Sequence, residues 1–437
     1  MTPDIILFHC HDLGRWLPTY GMPAVPAPHI QAFAEQSVVF DDAHAAAPLC
    51  SPSRGALFTG MPPYRNGIQG LAHDGWRYRA GVSTLPERLG PLGYHTALIG
   101  LQHENVDPTV LGFAECPGQG FLPRTEQVVD ATSAWLRGLA PREQRKPIFL
   151  TVGVWEVHRP WPAPDYAPAD PASVDVPAFL PDNADTRADI ADFYGSIAQL
   201  DAGFSNLLET ISSTIGDENT MIVFTTDHGA AFPRAKSTLY DAGTGVALMV
   251  RPPAGWGIEP HRVSDLVIHQ DLVPTLLEIA GHAGPHDPEL EGQSILPLIR
   301  NAHAEESQEE RMVFTSKTYH DSYDPKRAVR TQDYVYIRNY SEGPRLQLPA
   351  DLEASRTRQG LGDDHLAPRP PEELYDRRLD PHELDDVAGQ EAYADVQARL
   401  AEALHERLIA IGDPVETEPI PRAPRRSRHV DDLPGVD

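Results

Sequence analysis

The sequence predicts an α/β fold: a large, mostly parallel sheet flanked by helices, followed by a smaller antiparallel sheet and a closing helix. Three observations predict it. Apolar runs at residues 4–10, 94–100, 147–154 and 220–226 each end in polar residues, as buried parallel strands do where they deliver side chains to a sheet edge. Between such runs the period becomes helical, most clearly in Ile190, Phe193, Ile197, Leu200, Phe204, Leu207 and Ile211, spaced by three and four. From about Gln308 the pattern alternates, in residues 312–315 and 334–337, as in an antiparallel sheet with one wet face. At 437 residues the chain exceeds the size at which one core stops growing. The expected division is therefore a catalytic α/β domain over 1–307, an α+β subdomain over 308–413, and a poorly ordered Pro- and charge-rich tail over 414–437.

Composition narrows the function. Hydrophobic residues make up 41% of the chain, and no run approaches the eighteen needed for a membrane span. The start, Met1-Thr2-Pro3-Asp4, runs straight into Ile5-Ile6-Leu7-Phe8 with no basic segment before it, so it reads as a first strand and not as a secretory signal. Three cysteines make no disulfide framework, and the expected compartment is the cytoplasm. The formal net charge of −27 argues against nucleic acid and against anionic membrane surfaces, both of which demand a basic footprint.

The most informative stretch is Cys50-Ser51-Pro52-Ser53-Arg54, followed by Gly55-Ala56-Leu57-Phe58-Thr59-Gly60. Ser51 can cap a helix with Pro52 at its first position, which places Cys50 at the positive end of the helix dipole, with Arg54 one turn in. A thiol there is open to activation or modification. The alternative is a capped helix after a Pro-rich loop, with Cys50 as a small apolar filler. The stretch resembles the signature of the formylglycine-dependent sulfatases, a family of the alkaline phosphatase-like superfamily. That resemblance implies an alkaline phosphatase-like fold and oxidation of Cys50 to an aldehyde by a formylglycine-generating enzyme. It also implies a bound divalent metal, with the aldehyde hydrate attacking sulfur.

Taken in order, the first strand ends at His11-Asp12, where the family carries two metal-binding aspartates; a hydrogen-bonded turn is the competing reading. Residues 28–34 resemble the helix that follows in the family and 37–40 its next strand. His73, in a Gly-punctuated turn, reads as a solvated loop histidine more readily than as a substrate contact. A short helix opens at Thr84. Strand 94–100 leads to Leu101-Gln102-His103, which resembles the family's G-K-x-H. His103 matches the histidine that bonds the formylglycine, but Leu101 stands where the family has a sulfate-binding lysine. Residues 124–138 read as an amphipathic helix, and strand 147–154 ends at Trp155-Glu156-Val157-His158-Arg159-Pro160-Trp161. His158 matches the family's leaving-group acid, a role that suits an imidazole near neutrality. Trp155 and Trp161 either flank a sugar or fill space. Residues 160–181 are proline-rich and read as a lid or substrate loop. Strand 220–226 delivers Asp227-His228-Gly229, which resembles the second half of the metal site, and Lys236 matches the family's sulfate-gripping residue. Residues 243–251 read as strand. Residues 269–276 read as a helix whose role in the family is structural, and 392–411 as the closing amphipathic helix.

The strand ends thus converge, and the resemblance implies His11, Asp12, Cys50, Asp227 and His228 as metal ligands, with Cys50, Arg54, His103, His158 and Lys236 as the catalytic set. Against a net charge of −27, a site for anionic esters has to be locally positive through a metal and a few basic residues. The resemblance implies calcium first; two imidazoles beside two carboxylates suit Mn, Zn or Fe better on ligand softness. The combined motifs are most similar to the N-sulfoglucosamine sulfohydrolase branch, which implies a small sulfated saccharide as partner. In that branch residues 318–327 lie where the sugar is contacted, and Glu156, His320 and Arg327 are the candidate substrate contacts. Two other readings compete: a phosphodiesterase or phosphonate monoester hydrolase of the same superfamily, and a catalytically silent binder of sulfated ligands. The sequence leaves the oligomeric state open.

Overall fold

The computed structural model describes residues 2–117, 124–161, 166–282, 287–301 and 310–424. Its larger sheet has seven strands in the order β3-β4-β1-β5-β6-β2-β7. They are β1 (Asp4–Cys10), β2 (Val38–His44), β3 (His95–Gly100), β4 (Ile148–Gly153), β5 (Thr220–Thr226), β6 (Leu248–Arg251) and β7 (His261–Ile268). β1 sits between β4 and β5 and is parallel to both; β6 alone runs antiparallel to its neighbours. Every residue of β1, β4 and β5 is buried, which is why these strands read as unbroken apolar runs.

Helices cover both faces. The long helix Ala184–Thr214 starts at Asn183, whose side chain accepts a hydrogen bond from the Thr186 N–H. Its Phe204 packs on Phe8 and Phe224 at ring separations of 4.8 and 5.1 Å. The helix Thr125–Arg137 adds Val128, Val129 and Leu136 to the same core. On the opposite face lie the helix Cys50–Thr59, through Leu57 and Phe58, and the helix Leu272–Ile279, through Leu272, Val273, Leu276 and Leu277. Each such side chain contributes about 1.5–3 kcal/mol on burial, so both helix layers are held firmly over the strand ends.

The smaller sheet is antiparallel, ordered β11-β10-β9-β8, with β8 (Val313–Tyr319), β9 (Tyr323–Arg330), β10 (Tyr334–Asn339) and β11 (Glu372–Asp376). The closing helix Ala394–Ile411 buries Leu400, Leu404 and Leu408, spaced by four, against Val329, Tyr336 and Leu374.

Four expectations are corrected. Residues 243–251 are not one strand: a short helix, Asp241–Thr244, precedes β6, because the chain must turn there to enter the sheet antiparallel. Residues 318–327 form the β8–β9 turn with its flanking strands, so most of that segment serves the small sheet. The tail is packed at its start, where Val415 and Ile420 are buried and the Ile420 carbonyl accepts from the Tyr319 hydroxyl at 2.8 Å. In the loop 160–181, the short turn Pro171–Ser173 and the buried Val174 and Leu180 tie the chain to the main core. The 307/308 boundary and residues 425–437 lie outside the described residues. Among the described residues no helix is long and apolar enough to cross a membrane.

Candidate active site

The site lies where β1, β3, β4 and β5 end, with the N-terminus of the Cys50 helix facing them. That helix begins at Cys50 with Leu49 as its N-cap. Ser51 is therefore not the cap; its hydroxyl accepts from the Ala72 N–H at 2.9 Å. Cys50 still stands in the first turn, where the helix dipole is positive. Ser53 donates to the Asp227 carbonyl at 2.5 Å, tying the Cys50 helix to the end of β5.

His11, Asp12, Cys50, Asp227 and His228 are all buried, and one ligand atom from each lies within 4.8 Å of the others. His11 Nδ1 is 2.7 Å from Asp12 Oδ1 and 3.2 Å from Asp227 Oδ2. His228 gives Nδ1 to the Gly229 carbonyl at 2.9 Å, which turns Nε2 inward, 3.0 Å from Asp12 Oδ1. Asp12 adopts a left-handed φ of 52°, and the N–H groups of Asp12 and His228 both donate to Asp227 Oδ1 at 2.9 Å.

Burial alone would neutralise these groups, but their mutual charges win. Burial lowers the pKa of His11, yet Asp227, Cys50 and Asp12 together raise it to about 9. His228 is raised well above its ordinary value, against burial, by Asp227 and Asp12. Burial would raise both carboxyls; Lys236 and His158 hold Asp12 well below the carboxylate range, and His11 and His228 lower Asp227. The Cys50 thiol, which burial pushes up, is brought well below its ordinary value by the charge on His11 and by hydrogen bonds to His103, His11 and His228. Two carboxylates, two imidazoles and a sulfur thus converge on one buried point, where the carboxylates require positive charge, and this donor set fits a divalent cation.

Arg54 is fully buried. Its Nε and Nη2 donate to Asp227 Oδ2 at 3.2 and 3.0 Å, Nη1 lies 2.6 Å from His9 Nδ1, and Nη2 also donates to the Cys10 carbonyl. Four of its five N–H groups go to Asp227, His9 and the Cys10 carbonyl and it does not line the cleft, so it fixes a ligand carboxylate from behind, where the expectation had it grip the hydrate or the substrate.

Above the cluster opens a cleft of about 300 Å³, lined by Cys50, His73, His103, Trp155, His158, Lys236, His320 and Asp351, among others. Lys236 Nζ donates to Asp12 Oδ2 at 2.7 Å and to Asp351 Oδ2 at 2.8 Å, and lies 3.2 Å from His158 Nε2. His158 Nδ1 sits 2.5 Å from the Arg159 carbonyl. Burial, with the Lys236 charge added, lowers His158 to about 4. His103, lowered to about 4 chiefly by burial, stacks on His73 at 5.5 Å. His320 lies in the same wall, its Nδ1 3.4 Å from Ser237 Oγ.

Two candidate substrate contacts are corrected. Glu156 is buried away from the cleft: Oε2 accepts from the Thr125 N–H and hydroxyl at 2.9 and 2.6 Å, and Oε1 from the Tyr166 hydroxyl at 3.0 Å. Arg327 is buried on the other face of the small sheet, with Nε on Asp413 at 2.7 Å. The two tryptophans separate: Trp161 is buried against Phe193 and Phe232, whereas Trp155 lines the cleft with its ring 4.0 Å from His158. His73 is a cleft residue, not a solvated one. Leu101, where a lysine was expected, is 1% exposed and outside the cleft lining. Asp351 was not foreseen; it sits on the four-residue helix Ala350–Glu353, which has no pattern of its own to betray it.

Comparison with known proteins agrees with this geometry. Residues 232–355 match the family model described as N-sulphoglucosamine sulphohydrolase, C-terminal. The chain is 28% identical to the N-sulphoglucosamine sulphohydrolase of Homo sapiens over 460 aligned positions, covering 92% of this chain and 89% of that one. A solved structure of a protein in complex with its substrate D-glucosamine-2-N,6-O-disulfate superimposes with a TM-score of 0.74 at 18% identity, over 96% of this chain and all of that one. The phosphonate monoester hydrolase of Agrobacterium radiobacter gives a TM-score of 0.69 at 18% identity, over 94% and 96% of the two chains, so the fold itself is shared beyond sulfate chemistry. The family model described as Sulfatase matches residues 12–282, more than half of the chain and all five members of the buried cluster except His11, and the chain is therefore a member of the sulfatase family on the alkaline phosphatase-like fold.

Proposed function

We propose that the chain hydrolyses a sulfate ester or N-sulfate of a small sulfated sugar such as N-sulfoglucosamine, with Cys50 matured to formylglycine. The observation that carries this reading is the Cys50 sulfur inside a buried two-carboxylate, two-histidine cluster at the floor of a cleft walled by His103, His158 and Lys236. A hydrate oxygen attacks sulfur as the S–N or S–O bond to the sugar breaks, and loss of the other hydrate proton then breaks the C–O bond to sulfate and returns the aldehyde; His11, Asp12, Asp227 and His228 would hold a divalent cation, which would supply positive charge there. The Cys50 sulfur occupies the place of the hydrate oxygens. His103 hydrogen-bonds that position and orients it.

Lys236, buried against Asp12, presents its ammonium to a sulfuryl oxygen from a position 2% exposed, where such a charge is little screened. His158 commits Nδ1–H to the Arg159 carbonyl, so Nε2 faces the leaving group; unprotonated at rest beside Lys236, it takes up a proton when the anionic sulfate is bound next to it and passes that proton to the departing amine or alcohol. Trp155 gives the sugar a flat apolar wall. Calcium is the proposed ion from resemblance; Mn, Zn and Fe are the ions two imidazole donors favour. Elemental analysis of protein purified without added metal decides between them.

Turnover of N-sulfoglucosamine and 4-nitrophenyl sulfate, run beside an aryl phosphodiester and an aryl phosphonate, tests the reaction. Preference for the sulfur substrates is expected, and preference for phosphorus overturns it. Mass spectrometry of the Cys50 peptide from the native host tests maturation: loss of sulfur is expected, and an intact thiol leaves only a binder of sulfated ligands.

A further inference from the structure

Lys236 has three N–H groups and three acceptors around it: Asp12, His158 and Asp351. Two of these belong to the reaction centre. Asp351 does not; it comes from the short helix Ala350–Glu353, beyond β10, and reaches the cleft from the side of the small sheet. Lys236 is also the one lysine or arginine that lines the cleft among the described residues. An ammonium on a four-carbon stem has no fixed direction of its own and loses rotamer entropy when one is imposed. With Asp12 as its only anionic partner, the ammonium would be free to swing about that single contact.

We infer that Asp351 is a positioning residue that, as the second carboxylate on Lys236, fixes the direction of its ammonium over the reacting sulfate, so that the small-sheet region takes part in sulfate recognition without touching the sulfate. Asp351 fits this task. Its Oδ2 is 2.8 Å from Lys236 Nζ, while Oδ1 accepts from the Leu352 N–H at 3.0 Å, which fixes the carboxylate plane to the helix that carries it. Its side chain is 24% exposed, against 2% for Lys236, so a partly exposed carboxylate and the buried Asp12 hold the ammonium between them. The inference rests on the sulfatase reading for its ligand, and its test is built to fail separately.

The test is a double-mutant cycle in the mature, metal-loaded protein: wild type, Asp351→Ala, Lys236→Met and the double variant. Two readouts are taken, the affinity for inorganic sulfate and the kcat and KM for N-sulfoglucosamine. Asp351→Ala is expected to weaken sulfate binding and lower kcat/KM by about tenfold in the wild-type background and by less than about twofold beside Lys236→Met. Asp351→Glu is expected to recover most of the loss, and Asp351→Asn replaces Asp351→Ala if the latter does not fold. Equal losses in both backgrounds, or none in either, overturn the inference. If wild type binds sulfate but turns over no sulfate ester, the function proposed above fails and the sulfate-binding cycle still decides the role of Asp351. If wild type does not bind sulfate, both fail.

Discussion

His158 is the residue on which the proposed chemistry is most sharply testable. Its Nε2 faces the cleft and its Nδ1 is held by a backbone carbonyl, so removing the ring removes the proton carrier together with its contacts to Trp155 and Lys236, and the choice of leaving group separates the two effects. Its importance depends on the leaving group. A sugar amine or alcohol cannot depart as an anion, whereas 4-nitrophenolate can. His158→Ala is therefore expected to lower kcat on N-sulfoglucosamine by about 10²–10⁴-fold, and on 4-nitrophenyl sulfate by much less. Equal losses on both substrates would show that His158 does not supply the proton. At this scale the sequence was readable wherever chemistry sits at the end of a strand or the start of a helix, because such positions are set by a few local residues. That is why His11, Asp12, Cys50, His103, His158, Asp227 and Lys236 meet in one place. Arg54, Glu156 and Arg327 show the limit. Each is a charged residue in or near a motif, but whether its charge faces a ligand or a buried partner depends on residues far along the chain: Asp227, Thr125 and Asp413.

Elements were readable where their burial follows an apolar run or period. β1, β4 and β5 and the helix Ala184–Thr214 carry continuous or periodic apolar signals, while β9, which overlaps the 318–327 stretch read as contacting the sugar, carries Asp324, Lys326, Arg327 and Arg330 and still has seven of its eight residues buried. A charged strand inside a fold has no signature distinct from a surface loop. Its cost is visible in Lys326, which stands directly opposite Lys317 across the β8–β9 ladder. Lys317 takes Asp324 at 2.6 Å, leaving Lys326 at 3.8 Å from the same carboxylate. Like charges opposed across a ladder are unfavourable, and burial, opposed by Asp324 and reinforced by Lys317, pushes the Lys326 pKa down to about 8. Since the folded value lies below the unfolded one, the unfolded chain binds more protons between about pH 8 and the ordinary lysine pKa, and stability rises with pH across that window. Lys326→Met, close in volume, is expected to add about 1–3 kcal/mol at pH 7 and to abolish that rise. Denaturant unfolding at pH 7 and pH 10 measures both; an unstabilised variant at pH 7 would mean that Lys326 is better paired than its distances suggest.

Across the whole molecule, the acidic surplus of 63 Asp and Glu over 36 Lys and Arg leaves basic residues to be drawn inward. Arg54, Lys236, Lys317, Arg327 and Arg330 are all buried and each is paired with a carboxylate. One such group joins the two sheets. Arg377, just past β11, grips Asp42 of β2 with Nη2 at 2.6 Å and Nη1 at 3.1 Å, while Arg330 of β9 holds Glu383, whose other oxygen accepts from the Asp241 N–H. No local pattern announces this seam, because its members are separated by up to 335 positions. Its consequence is that the small sheet, which carries Asp351 and His320 to the cleft, is tied to the large one by buried ion pairs. Arg377→Ala leaves Asp42 buried with weaker partners, and is expected to cost about 3–5 kcal/mol near neutral pH. The pH dependence has a definite sign. Burial would raise the Asp42 carboxyl, but His44 and Arg377 hold it well below the usual range, so its contribution is complete above the ordinary aspartate pKa of about 4 and is lost as pH falls below it. The gap in unfolding free energy between wild type and Arg377→Ala should therefore be constant from pH 7 to pH 5 and narrow as pH drops through 4 toward 3. A gap that does not change with acidity would mean that Arg377 acts through packing alone, and the electrostatic seam would then have no part in presenting the small-sheet residues to the site.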